Sequence, residues 1–339
     1  MKQAEYIKDL AKYGLENENS KFIDILVRLI EYYKNSGKRN LAIQLQSMLK
    51  ETIKNKNEHT LTLVAPEKHS FFDDGKDINE FIIEKLISEY HFDSLVTSKK
   101  IKEELNYFIE EHLKLELLKN YQLPVANKVL FYGPPGCGKT LASYVLAGEL
   151  QKMMLVVNLG SIVSSKLGET SKNLSKIFKK AASEECIIFL DEFDSLGKIR
   201  DFSQDHGEMK RVVNTILQLF DYMPSETILI AATNQIEMID KALLRRFDLK
   251  INLNLPTKAQ ILELIKNILK TGVFLLDEKE YIGGVVERCM GLSFYSIQKS
   301  LILAIKRSLL NADEKKIEHP INVSVNTWNK LIELEKENT

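Results

Sequence analysis

Cysteine and long apolar runs are both scarce in this sequence. Only three cysteines occur in 339 residues, far apart and odd in number, which favours a reducing compartment over a disulfide framework. No apolar run approaches the roughly 18 to 20 residues of a membrane-spanning helix, and the polar start MKQAEYIKDL is unlike a secretory leader. These absences predict a cytoplasmic protein that does not enter a membrane.

An excess of charge is also absent. Lysine plus arginine and aspartate plus glutamate both number 47, so no overall field attracts the chain to nucleic acid or to an anionic membrane, and any such binding must be local. The six histidines lack metal-ligand spacing, and neither HExxH nor GxSxG occurs. These absences argue against a transition-metal site and against an internal protease.

Residues 1–55 predict a three-helix bundle. The segment SKFIDILVRLIEYYK (20–34) places apolar residues at helical spacing, with Ser20 as a candidate N-cap and Gly37 as a stop, and both flanking segments have similar spacing. A simple helical extension is the open alternative. Residues 56–78 are polar and contain turn formers, and they predict a linker.

Apolar runs alternate with helical patterns between residues 79 and 256. Two helical patterns lead from about residue 79 to NKVLFY, and further runs follow at MLVVNL, ECIIFL, TILIAAT and KINLNL. This alternation predicts an α/β fold with a parallel sheet covered by helices on both faces. After Pro256 the strand signals end, so residues 257–339 predict a small helical lid and tail. There Trp328 is expected to pack the last helix on the lid or on a neighbouring subunit.

A glycine-rich loop joins one apolar run to a helical pattern. It satisfies GxxxxGK[ST], in which backbone amides at a helix start surround phosphates, the lysine reaches the outer phosphates and the threonine ligates magnesium. The sequence therefore predicts a P-loop NTPase domain. The predicted nucleotide contacts are Gly133, Pro134, Pro135, Gly136, Cys137, Gly138, Lys139, Thr140 and Leu141. Cys137 is interpreted as a small side chain that fits the loop rather than as a redox switch.

Two carboxylates and an amide follow later apolar runs. Asp191 and Glu192 end CIIFLDE, where parallel-sheet enzymes place their chemistry. Asp191 is the predicted magnesium ligand with Thr140, and Glu192 is predicted to polarise the water that attacks the γ-phosphate of ATP. Asn234, after the next run, is predicted to orient that water. Thr-Asn after a strand is also ordinary turn chemistry, so the prediction for Asn234 depends on the order of all these motifs.

Two arginines complete this order. LLRRFD supplies Arg245 and Arg246, and an arginine set against the γ-phosphate stabilises the transferring group as an arginine finger. A solvated basic pair is the alternative. The order of loop, acidic pair, asparagine and arginines on successive units favours ATP hydrolysis.

This order, together with the block TNQIEMIDKALLRRFD, resembles the AAA ATPases, the clade of AAA+ proteins with a second region of homology. The resemblance runs from about residue 92 to residue 310. It implies that Leu95 and Val96 lie near the adenine and that the fingers reach into the neighbouring subunit's site. A competent enzyme would then be a homo-oligomer, typically a hexameric ring. The resemblance also names the motifs: Walker A (Lys139, Thr140), Walker B (Asp191, Glu192), sensor 1 (Asn234) and the fingers (Arg245, Arg246).

Three departures from the family pattern bear on function. The two arginines are adjacent, whereas many members separate them by Pro-Gly, so their side chains should diverge, and we favour Arg246 as the finger. Lys166, followed by Leu167, stands where the first pore loop often has an aromatic residue, and a solvated loop residue is the alternative there. Phe294 and Tyr295 stand where the family commonly has Gly-Ala, and they are interpreted as core packing of the lid.

The family resemblance favours an ATP-driven machine that remodels or unfolds a protein held at the pore. The N-terminal bundle resembles the microtubule-interacting-and-transport type, which implies that residues 1–54 accept a partner helix, and a separate peptidase is one candidate partner. A nucleic-acid loader is a second hypothesis, against which the lack of a basic excess counts. A nucleotide-gated scaffold with little turnover is a third.

Overall fold

The computed structural model describes residues 81–164, 167–196, 206–270, 272–277, 282–311 and 320–337, together with scattered positions between 6 and 45. Within these residues no helix is both long and apolar enough to cross a membrane. The described part of the chain contains a six-stranded sheet with helices on both faces and a smaller, mainly helical unit that follows it.

The central sheet has six strands: β1 (Ile82–Ile87), β2 (Lys128–Tyr132), β3 (Met153–Val157), β4 (Ile187–Leu190), β5 (Ile228–Thr233) and β6 (Leu249–Asn252). Their order across the sheet is β1-β3-β4-β5-β2-β6. Five of its strands are parallel, and β1 pairs antiparallel with β3 at one edge. The predicted parallel sheet is thus confirmed, with one antiparallel edge strand added to it.

Helices cover both faces of the sheet because alternate strand residues point to opposite sides. One face packs Leu155, Ile188 and Leu229 in a single apolar cluster with residues of the helices Leu167–Glu184 and His206–Asp221. The other packs Val129 and Phe131 with residues of the helices Lys99–Leu113 and Lys139–Glu149. The helices of this domain are α1 (Lys99–Leu113), α2 (Leu115–Asn120), α3 (Lys139–Glu149), α4 (Leu159–Ser164), α5 (Leu167–Glu184), α6 (His206–Asp221) and α7 (Lys241–Leu244).

Two helical patterns were expected from about residue 79, and this expectation was wrong in where the helices begin. Two helices do precede the phosphate loop, but they begin at Lys99, and Ile82–Ile87 forms β1. Its sequence IIEKLI spaces apolar residues as a helix would, whereas in the fold it pairs with β3. The carboxylate of Glu84 is buried on this strand and accepts a 2.8 Å hydrogen bond from the Tyr144 hydroxyl.

The C-terminal unit is mainly helical, as expected, but it also contains two short strands. β7 (Phe274–Leu276) and β8 (Ile321–Val323) pair in parallel, which corrects the expectation that no strand follows Pro256. Their pairing joins segments more than 40 residues apart, so neither run alone carries the signal. The helices are α8 (Lys258–Leu269), α9 (Ile282–Cys289), α10 (Phe294–Leu310) and α11 (Val325–Glu337).

Trp328 fixes the last helix of this unit. Its side chain is fully buried, and its indole N–H donates a 3.0 Å hydrogen bond to the hydroxyl of Ser300 on α10. The first alternative given for this residue, packing on the lid, is therefore the one observed. Because a buried indole N–H without a partner would be costly, Ser300 is the residue that permits a tryptophan here.

Only scattered positions of the predicted N-terminal bundle are described. Those positions are helical except for residue 38, and Leu29, Ile30 and Tyr33 are buried against a few other apolar side chains of the same segment. The remaining positions of 1–55, and the predicted linker 56–78, lie outside the described residues. The bundle therefore stays a prediction.

Candidate active site

The phosphate loop connects β2 to α3 at the carboxyl edge of the sheet. Its three glycines, Gly133, Gly136 and Gly138, all have positive φ, a conformation that other residues adopt at a cost. Gly133 is also required by close packing, since a β-carbon there would stand 2.2 Å from the carbonyl oxygen of Leu253. The loop thereby turns tightly and presents backbone N–H groups at the start of α3, where anions bind.

Lys139 lies at the first position of α3 and is nearly buried. Its ammonium donates to the carbonyl oxygens of Gly133 (2.9 Å) and Pro134 (2.7 Å), so its charge is held within the loop. Burial lowers the pKa of this lysine, which the nearby Cys137 and Asp191 partly offset. A cation so positioned is suited to phosphate oxygens, which would replace the loop carbonyls as its partners.

Cys137 and Leu141 help to seat the loop on the core. The Cys137 side chain is buried, and burial raises the pKa of its thiol, so it packs as a small apolar group, as expected. Leu141 is half-buried against the same cluster. Leu95 and Val96 are buried too, and Leu95 comes within 3.9 Å of where a β-carbon on Gly138 would lie. The segment predicted to contact the adenine is therefore adjacent to the loop.

The lid also contacts the loop, a feature that the sequence did not indicate. The backbone N–H of Tyr295 donates a 3.1 Å hydrogen bond to the carbonyl oxygen of Gly136. A β-carbon on Gly136 would stand 2.6 Å from the hydroxyl oxygen of Ser293, the N-cap of α10. The Tyr295 side chain is 52% exposed, so the interpretation of Tyr295 as lid core was wrong.

Strand register brings the acidic pair to the loop. β4, β5 and β2 are neighbours, with Leu190 opposite Ala231 and Thr233 opposite Tyr132, so the residues after each strand share one edge. The hydroxyl of Thr140 donates a 3.1 Å hydrogen bond to Oδ2 of Asp191. A hydroxyl and a carboxylate oxygen this close are oxygen donors of the kind that Mg²⁺ prefers, so the residues fit that ion.

Glu192 follows in a strained turn. Its φ is +51°, a conformation uncommon for a residue with a side chain, and its N–H donates a 2.8 Å hydrogen bond to Oδ1 of Asp191. The next residue, Phe193, donates its backbone N–H to Ala232 of β5. The turn thus leaves the Glu192 side chain exposed at the edge of the site, where a carboxylate can accept a proton from water.

Asn234 occupies the matching position after β5, and its side chain is exposed. The turn below it is fixed by Asp194, which is buried and accepts a 2.9 Å hydrogen bond from the Thr233 hydroxyl. The same hydroxyl accepts the backbone N–H of Gln235. Asp194 therefore supports the turn, whereas the Asn234 side chain is left exposed directly after β5.

The two arginines are not part of this cluster. They follow α7, and Asp248, two residues beyond Arg246, donates its N–H to the carbonyl oxygen of Lys128 at the start of β2. The phosphate loop follows the opposite end of that strand, five residues and roughly 16 Å away. Arg245 is exposed, and Arg246 forms a two-point ion pair with Asp221 at the end of α6.

Lys166 and the side chain of Leu167 lie outside the described residues. The structure thus brings together the loop, Thr140, Asp191, Glu192 and Asn234, and places the arginines elsewhere. A parallel sheet with this loop and acidic pair, followed by a helical lid that contacts the loop, defines a P-loop ATPase.

Comparisons with known proteins identify the kind of ATPase. The family "ATPase family associated with various cellular activities (AAA)" matches residues 129–255. The uncharacterized AAA family ATPase y4kL of Sinorhizobium fredii is 31% identical over 315 residues, which are 93% of this chain and 92% of that protein. The chain belongs to the AAA family of ATPases, and it hydrolyses ATP.

Other relatives match over a smaller share of the chain. The ribosome biogenesis ATPase RIX7 of Saccharomyces cerevisiae is 33% identical over 230 residues, 64% of this chain and 27% of that protein. A putative 26S proteasome regulatory subunit homologue of Methanocaldococcus jannaschii is 33% identical over 188 residues, 54% of this chain and 50% of that protein. The solved AAA domain of FIGL-1 covers 76% of this chain and 87% of its own, with a TM-score of 0.59 and 20% identity, which shows a common fold.

Proposed function

We propose that this AAA ATPase acts as a cytoplasmic homo-oligomeric ring, of the hexameric kind implied by its family, that uses ATP and Mg²⁺ to remodel or unfold a protein substrate. The observation that carries the ring is the separation within one chain between the phosphate loop and the arginines. Because Arg246 lies near the far end of β2 from its own loop, a neighbouring subunit is the natural source of a finger. Tyr222, 86% exposed beside Asp221, would contact that neighbour.

The described residues divide the hydrolytic step among themselves. The loop amides and Lys139 hold the phosphates, and Thr140 and Asp191 would hold Mg²⁺, which supplies charge neutralisation on the phosphate oxygens. Glu192 accepts a proton from the attacking water, which Asn234 orients, as the water oxygen bonds to the γ-phosphorus and the bond to ADP breaks. The neighbour's arginine stabilises the charge on the transferring group.

The protein-substrate part of the proposal rests on relatives. RIX7 is named as a ribosome biogenesis ATPase and the archaeal relative as a putative 26S proteasome regulatory subunit homologue. The pore loop near Lys166 and Leu167 would contact the substrate. Residues 1–54 would recruit it, or a separate peptidase, through a partner helix.

A complementation experiment tests the shared site. Glu192→Gln should bind ATP but lose about 100- to 10,000-fold in turnover, since a general base contributes that much. Arg246→Ala should also bind ATP and be inactive. Mixing the two should restore activity, because some sites then combine an intact Glu192 with an intact neighbouring arginine. Light scattering on Glu192→Gln with ATP and magnesium should show assembly in parallel.

Two results would contradict this proposal. Absence of recovery at every mixing ratio would count against a site shared between subunits. A mass that stays monomeric with ATP would remove the ring itself.

A further inference from the structure

Asp221 binds Arg246 at two points within the same chain. Arg246 Nε is 2.6 Å from Asp221 Oδ1, and Arg246 Nη2 is 3.2 Å from Asp221 Oδ2. The two side chains are 41% and 46% exposed. Ion pairs this exposed contribute little to the stability of a fold. The main effect of the Asp221–Arg246 pair is therefore on the orientation of the guanidinium.

The two-point geometry selects which edge of the guanidinium stays available. The group has five N–H bonds in a rigid plane, and Asp221 takes one on Nε and one on Nη2. Three remain, two on Nη1 and one on Nη2. These lie on the end of the plane that points away from Asp221, in the fork that matches the spacing of phosphate oxygens. The carboxylate stays ionised, because hydrogen bonds from Arg246 hold its pKa below the usual range, with Lys128 contributing through its charge.

The backbone on both sides of the ion pair is fixed by buried aromatic rings. Phe220 precedes Asp221 and Phe247 follows Arg246, and their rings meet edge to face at 5.5 Å. Both also contact Phe193, at 6.5 and 5.7 Å, and all three are buried. Phe193 is the residue after Glu192, so this aromatic cluster connects the hydrolytic turn of one subunit to the arginine that it presents to the next.

We propose that Asp221 is a positioning residue for the neighbouring subunit's ATPase site, where it holds Arg246 so that the remaining N–H groups meet the γ-phosphate. This inference rests on the proposed function, because it needs Arg246 to act in trans. The same contact also permits the opposite role, a lock in which Asp221 holds Arg246 away from the neighbouring γ-phosphate. A lock predicts that loss of Asp221 raises turnover, whereas positioning predicts that it lowers turnover.

The test replaces Asp221 and reads turnover separately from binding. Asp221→Ala should lower kcat by up to about 100-fold, the cost of a misplacement of about 1 Å. Asp221→Asn, which keeps one acceptor oxygen, should lose less. Neither should change ATP affinity, because their own phosphate loops are intact. Glu333→Ala is the matched control, since it removes another exposed carboxylate–arginine pair, with Arg288 in the lid, and should leave kcat unchanged.

Mixing separates positioning from general damage. Mixing Asp221→Ala with Glu192→Gln should restore turnover, because the Glu192→Gln subunit presents a correctly held Arg246 to the intact Glu192 of its neighbour. Mixing Asp221→Ala with Arg246→Ala should not, because neither subunit then presents a correctly held Arg246. A merely structural defect would not distinguish these two partners. Turnover equal to or above that of the unmodified chain would overturn the proposal and, if above, assign the pair as a lock. Unfolding of both Asp221 variants by circular dichroism would assign it a structural role.

The reference mixture of Glu192→Gln with Arg246→Ala tests the shared site without changing Asp221. It therefore distinguishes failure of the shared site from failure of the role given to Asp221. Rescue there, together with normal turnover in Asp221→Ala, would leave the shared site standing and remove Asp221 from it. Failure of the reference mixture would remove the shared site, and with it the role given to Asp221.

Discussion

The phosphate loop and the arginine pair lie toward opposite ends of β2, and they differ in how complete they are within one chain. At the loop, Lys139, Thr140 and Asp191 already contact partners from the same chain. At the other end, Arg246 contacts only Asp221 among the side-chain partners that the described residues supply, and Arg245 is exposed. The loop has its partners within one chain, whereas under the proposed function the arginine pair completes the site of a neighbouring subunit.

This difference separates binding from turnover. Contacts made equally to bound nucleotide and to the transition state affect affinity, and contacts made only to the transferring group affect kcat. Variants at the loop should therefore change ATP affinity, and variants at the arginine end should change turnover alone.

The largest expected effect on ATP affinity is at Lys139. Lys139→Ala removes a charged partner of the phosphates, and we expect ATP affinity to fall by about 100-fold, or roughly 3 kcal/mol. Arg246→Ala should bind ATP within about twofold of the unmodified chain. Titration of a fluorescent ATP analogue, with each substitution placed in the Glu192→Gln background to prevent turnover, measures both.

A comparable loss of ATP affinity in Arg246→Ala would contradict the division between binding at the loop and turnover at the arginines. It would mean that the arginine contributes to ground-state binding, either across a preassembled ring or within its own chain. Repeating the titration at protein concentrations below assembly would decide between those two cases.

The same two ends differ in how far the sequence could predict them. The loop, Thr140, Asp191 and Glu192 follow from local patterns, because each stands directly after an apolar strand and parallel strands end at one edge. The pairing of Asp221 with Arg246 joins residues 25 positions apart, and an aspartate at a helix end carries no sign of its partner. The preference for Arg246 as the finger stays a prediction.

The errors in the fold have the same physical origin. Ile82–Ile87 has a local pattern compatible with a helix, and pairing with β3, some 70 residues away, makes it a strand. β7 and β8 are each three residues long and become recognisable only as a pair. The contact of Tyr295 with Gly136 is made by a backbone N–H, which any residue but proline would supply, so the sequence offered no signal for it.

Acid should destabilise the fold through His112, which lies near the start of β2, and not through the Asp221–Arg246 pair. His112 on α1 is buried, with Nε2 placed 2.8 Å from the carbonyl oxygen of Ala126 just before β2, and burial lowers its pKa to about 4. The unfolded chain, with an ordinary histidine pKa near 6.5, binds the proton more readily between these values. Stability is therefore full above pH 6.5 and decreases as the pH falls toward 4, by about 2 kcal/mol at pH 5.

Urea unfolding at pH 7 and pH 5 measures this loss. His112→Leu should reduce the difference in unfolding free energy between pH 7 and pH 5 by about 2 kcal/mol, whatever the substitution costs at pH 7. Asp221→Ala should retain the whole difference, because the carboxylate it removes has a lowered pKa and stays ionised at both. An unchanged pH difference in His112→Leu would show that other groups cause the acid sensitivity.

The smallest expected effect concerns the contact between the lid and the phosphate loop. Tyr295→Pro removes the N–H that bonds to Gly136, and the first turn of a helix tolerates proline because most N–H groups there have no helical partner. Loss of one neutral hydrogen bond, about 1 kcal/mol, should weaken ATP binding by roughly fivefold. Tyr295→Ala keeps the N–H and removes only a half-exposed ring, so it should bind ATP normally.

If both variants lost affinity equally, the ring rather than the backbone contact would couple the lid to the loop. If neither did, the lid would contact the loop without influencing it, and the phosphate end would be as independent of the lid as it is of the arginines.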